Sequence, residues 1–99
     1  MIDLDFSFEA EMWKWTGGSW HFITVPQEIS QDIKAFTKHL QNGFGSLKVN
    51  VRIGDTSWKT SIFPDKKRGA YLLPVKAAVR KAETLSVDAT ISVKLSVLI

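Results

Sequence analysis

"ITVP" (Ile23–Pro26) and "YLLP" (Tyr71–Pro74) each read as an apolar run stopped by a proline. A helical pattern follows each. An alternating run comes next, "LKVNVRI" (Leu47–Ile53) after the first and "ATISVKL" (Ala89–Leu95) after the second. Proline ends such runs because it has no amide hydrogen and holds the residue before it extended. Working outward, the first half opens on Ile2, Leu4, Phe6, Phe8, Ala10 and Met12, separated by Asp3, Asp5, Ser7, Glu9 and Glu11. That period of two is a half-buried strand. "TGGS" (Thr16–Ser19) then supplies a turn before "WHFITV", completing a hairpin. In the second half "GDT" turns the chain into a strand over Trp58 to Phe63, and a basic loop leads to a short strand over Ala70 to Leu73.

Both halves therefore run strand, turn, strand, helix, strand, over about residues 2–53 and 54–99 of a single domain spanning 1–99. The first helix is expected to start with Ser30 as N-cap and Asp32 in the first turn. Ile33, Phe36 and Leu40 form its apolar stripe, and Asn42-Gly43 its stop. The second covers about Val75 to Glu83, with Val75, Ala78, Val79 and Ala82 as its stripe. Six strands with one apolar face each bury those faces best against each other. An all-β domain with two short helices is predicted, a small closed or nearly closed barrel with an internal pseudo-two-fold repeat, since closure also removes sticky edges.

With 99 residues, 44% of them hydrophobic, and four tryptophans, the chain supports one packed core. No apolar run nears the roughly 20 residues that span a bilayer, and the acidic, alternating start is unlike a signal peptide. Cysteine is absent, which excludes disulfides, thiol catalysis and thiolate metal sites. A cytoplasmic protein away from membranes is expected, without cofactor or metal. The net charge of +3 is unevenly spread. Residues 1–50 carry four basic and six acidic side chains, residues 51–99 nine and four. Such separation steers anionic partners toward the second half.

"SWHF", "WKTSIFP" and "YLLPVKAAVRKA" resemble the family called domain of unknown function 1905, and the similarity covers nearly the whole chain. It implies a double-split β-barrel of six or seven strands and no assigned activity. Val87-Asp88 departs from the Gly-Asp expected before the last strand. A weaker similarity, carried by Pro74, Arg80, Leu85, Asp88 and Ile91, is to DNA-binding regulators of the AbrB and MazE type. Those build one barrel from two chains, so here the two halves would replace two subunits and the unit would be a monomer.

Candidate chemistry lies in two groups. Lys76 and Arg80 sit at i, i+4, a spacing that costs about 0.2–0.5 kcal/mol for like charges unless an anion or Glu83 neutralises them. With Lys66, Lys67 and Arg68 they make a candidate face for an anionic or acidic partner. Solvated surface charge is the ordinary alternative. Trp20, Trp58 and Tyr71 make a candidate aromatic pocket or stacking surface. Trp13 and Trp15 share a parity opposite to Phe6, Phe8 and Met12, so either the twisted end of the hairpin or a ligand covers them, or a bulge near Lys14 switches the parity. His21 and His39 have no metal-ligand spacing, and nothing marks a nucleophile. A non-enzymatic binding domain with a basic face is the leading reading. A nucleic-acid-binding regulator and a small-ligand carrier or enzyme with an aromatic pocket are the alternatives.

Overall fold

The opening alternation becomes β1 (Asp5–Lys14), followed by β2 (His21–Thr24), α1 (Gln27–Thr37), β3 (Leu47–Ile53), β4 (Thr56–Asp65), β5 (Ala70–Pro74), α2 (Ala77–Ala82) and β6 (Thr90–Val97). These elements come from a computed structural model that describes residues 4–38 and 45–98. The six strands close into one barrel in the order β1-β2-β5-β4-β3-β6, every pair antiparallel. Inside lie Met12, Ile23, Val49, Val51, Ile62, Leu73, Val93 and Leu95, all essentially without solvent contact. Ile33 of α1 and Val79 of α2 join the same core.

The two long strands are split. β1 pairs with β6 over residues 5–11 and with β2 over 12–14. β4 pairs with β3 over 56–62 and with β5 over 63–65. The halves superpose in register: adding fifty to Trp13↔Phe22 and Lys14↔His21 gives Phe63↔Leu72 and Pro64↔Tyr71, the pairs that β4 and β5 make. The same shift carries the amide-to-carbonyl bond Val25→Tyr71 onto Val75→His21, both 2.9 Å. It also carries the first helical residue, Gln27, onto Ala77. The duplication expected from the two proline-ended strands is thus written into the pairing, but the prolines themselves are not equivalent. Pro26 maps onto Lys76, and Pro74 onto Thr24.

Several local expectations need correction. α1 starts three residues earlier than Ser30, entered through Pro26 at φ −51° and ψ 146°. The fixed φ of proline suits that entry. Ser30 lies buried within the first turns of α1. Its Oγ donates to Val25 O at 3.1 Å and accepts the Tyr71 amide at 3.0 Å, tying α1 to β5. The buried side of α1 is Ser30, Ile33 and Thr37, whereas Phe36 is 44% exposed. Leu40, His39 and the Asn42-Gly43 stop lie outside the described residues. α2 is one and a half turns long, so it buries only Val79 against the core and leaves Ala78 and Ala82 exposed. β1 has no bulge at Lys14: pairing runs unbroken from Met12 to Lys14, and parity is kept. Gly54 makes the tight β3–β4 turn at φ +58°, a conformation that strains any residue with a Cβ.

Candidate functional site

Because parity is kept through the splits, the outside of the barrel changes character where each long strand changes partner. On β1 the outward side chains are Asp5, Ser7, Glu9 and Glu11 up to the split, and Trp13 after it. On β4 they are Ser57, Lys59 and Ser61, then Phe63. Phe22 of β2 and Leu72 and Pro74 of β5 alternate with the buried Ile23, Tyr71 and Leu73, so they face outward between them. The outer face of β1-β2-β5-β4 is therefore aromatic and apolar. On the other side of the barrel, Asn50, Arg52, Ser92 and Lys94 keep the outer face of β3-β6 polar.

The aromatic rings form a ladder. Arg68 places its guanidinium carbon 4.2 Å above the Trp13 ring. Trp13 packs on Phe22 with centroids 5.1 Å apart, and Phe22 is stacked by Trp20 at 6.0 Å with planes 9° apart. Trp13 Nε1 donates to Thr24 Oγ1 at 2.9 Å, which fixes the ring. One face of the Trp20 indole is thus occupied by Phe22 while the residue stays 58% exposed. Trp15, 48% exposed, folds over its own turn: a Cβ built on Gly17 would fall 2.4 Å from the Trp15 ring. The glycines of "TGGS" thereby leave room for an indole as well as making a turn. Phe63 is 45% exposed. Monomer surfaces seldom carry so many neighbouring exposed rings without a partner to cover them.

Trp20 and Phe63 form a ridge between two grooves. The first, about 480 Å³, has Trp58, Lys59, Lys76 and Arg80 along it, with His21 on its wall. The second, about 570 Å³, has Trp13, Trp15, Lys66 and Arg68. The expected basic residues are thus divided between the two sides of one ridge, and Lys67 lines neither groove. Trp20 and Trp58 do share a groove. Tyr71 does not join them: it points inward with Leu73, 3% exposed, because it has the core parity of β5. Sequence reasoning missed Phe22, Lys59, Phe63, Leu72 and Pro74. The available signal was parity, since Phe22 and Phe63 flank the core positions Ile23 and Ile62.

The cations differ in what holds them. Arg68 pairs with Asp65, whose other oxygen accepts the Lys67 amide at 3.0 Å. The Arg68 guanidinium is the main reason the Asp65 carboxyl is held below the usual carboxylate range; the Lys67 amide adds to it. Arg80 donates from Nη1 to Val75 O at 2.8 Å. That is the fifty-residue counterpart of the Ser30 bond to Val25 O, so Arg80 anchors its helix as well as lining a groove. Glu83 does not neutralise Arg80. Instead it accepts the Thr56 hydroxyl at 2.6 Å, and its carboxylate lies over Gly54. Among the described residues, Lys59, Lys66 and Lys76 have no carboxylate within ion-pair distance. Among the described residues, Asp65 is the one carboxylate lining either groove, and Arg68 already engages it. His21 directs Nδ1 to Ser19 O at 2.8 Å; a carbonyl only accepts, so Nδ1 carries the proton. Among the described residues no group of three acidic or histidine side chains could hold a metal ion, and no helix is long and apolar enough to cross a membrane.

These features define a small double-split barrel with one ringed, positively fringed outer face. The chain belongs to the family Domain of unknown function (DUF1905), whose model matches residues 8–95. No curated protein matches it.

Proposed function

We propose that this domain is a binding module whose outer β1-β2-β5-β4 face takes an anionic partner. The observation that carries the proposal is the pairing of exposed rings with unpaired lysines on both sides of the Trp20–Phe63 ridge. Rings alone would suit a neutral apolar partner. Lysines alone would be ordinary solvated charge, worth little. Together they offer contact area and long-range attraction, which fixes where an anion lands and how fast it arrives. Arg68 and Arg80 are held in place by Asp65 and Val75 O, so the fringe is partly pre-organised.

Charge reversal tests the reading. The full chain is titrated with three anionic polymers: oligo-thymidylate, polyphosphate and poly-glutamate. At least one should bind with salt-sensitive affinity, and Lys66→Glu with Lys76→Glu should weaken it by about tenfold or more, on the order of 1.4 kcal/mol. Arg52→Glu with Lys94→Glu, on the polar outer face, should change it by no more than about twofold. Binding of none of the three, or equal loss from the two charge reversals, would contradict the proposal.

A further inference from the structure

We infer that the partner is single-stranded nucleic acid, with bases stacked on Trp20 and Phe63 and phosphates beside Lys59, Lys66 and Lys76; this rests on the anionic-partner reading above. The first support is the geometry of Trp20. Phe22 backs one side of its indole in a near-parallel stack, and the residue remains 58% exposed. That leaves a planar surface, backed on one side, for a second ring on the other. A base stacks on such a surface whatever its identity, whereas a duplex keeps its base faces covered by their neighbours. An acidic peptide uses the lysines but has no use for a flat indole. A neutral sugar uses the indole but not the lysines.

The second support is where the charges stand. Lysines lie in both grooves, with the Trp20–Phe63 ridge between them. A strand crossing the ridge places its bases on the rings and its backbone over a cation on either side. The carboxylate that would repel it, Asp65, is already engaged by Arg68. Arg68 in turn covers Trp13, so Trp13 serves as the backing of the ladder and Trp20 as its open end, with the exposed Phe63 beside it along both grooves.

The test is anisotropy of a labelled oligo-thymidylate of about a dozen residues, within the roughly 4–16-nucleotide footprint of small barrel binders. Polyphosphate and poly-glutamate run in parallel, and intrinsic tryptophan emission is recorded. Binding should quench the emission. Trp20→Ala and Phe63→Ala should each weaken the oligonucleotide about tenfold and leave polyphosphate within about twofold. Lys76→Gln should flatten the dependence of log affinity on log salt by about 0.7. Circular dichroism verifies that the variants fold, and quenching of the unaltered chain needs no variant. Equal affinity for polyphosphate or poly-glutamate, with Trp20→Ala leaving the oligonucleotide unaffected, overturns the stacking inference while the anionic-partner reading stands. Failure of all three polymers to bind overturns both.

Discussion

Asp65 shows how single side chains set the surface that the barrel presents. It closes the β4–β5 turn by accepting the Lys67 amide and pairing with Arg68, and Arg68 then lies on Trp13. Its carboxyl titrates below the ordinary aspartate range, chiefly because of the Arg68 hydrogen bond. A carboxyl lowered in the folded state contributes stability above its unfolded value of about 3.9, and that contribution disappears as pH falls through the folded value. Asp65→Asn should therefore lose less thermal stability than the unaltered chain on acidification from about pH 5 through that window. Parallel melting curves for the two chains across the window would remove the argument. The aromatic residues obey a similar local logic. Parity placed Trp13 outside the core in the sequence, and the structure shows what covers it. The cover is an arginine fifty-five positions away, which no periodicity could indicate.

At the scale of elements, the sequence carried the strands well and the helices less well. β3 alternates Leu47, Val49, Val51 and Ile53 against Lys48, Asn50 and Arg52, and every one of those positions has the burial that alternation predicts. The helices are short and rest on the barrel by one edge, so a few contacts decide which side is buried. Those contacts come from distant strands. Ser30 was legible as a capping residue because serine usually is one, yet tertiary contact with Tyr71 draws it inside. Ser30→Ala should cost about 1–3 kcal/mol in equilibrium urea unfolding, since it deprives the buried Tyr71 amide of that acceptor. Gln31→Ala, an exposed neighbour, should stay within about 0.5 kcal/mol. Equal costs would mean that the Ser30 link holds nothing. The β1–β2, β2–β5 and β4–β5 pairings supply the reason why the candidate site was only half legible. Parity sets which face of a strand points outward, but only the pairing sets which outward side chains become neighbours, so the grouping around Phe22 and Phe63 was not legible.

Taken whole, the molecule is a structural repeat whose halves share their pairing and differ in their outer surface. Positions fifty apart share a place in the barrel but not a chemistry: Pro26 answers to Lys76, Ser30 to Arg80 and Trp15 to Asp65. The second half supplies the lysines of the two grooves and the first half three of the four tryptophans. The rings and charges meet because β2 pairs with β5 across the pseudo-two-fold axis. The indole N–H resonances of the four tryptophans report on that meeting of rings and charges. During titration with oligo-thymidylate, the Trp20, Trp15 and Trp58 indole signals should move together with the backbone amides of Lys66 and Phe63, while the amides of Arg52 and Lys94 stay fixed. Shifts centred on Arg52 and Lys94, with the three indoles unmoved, would contradict the account.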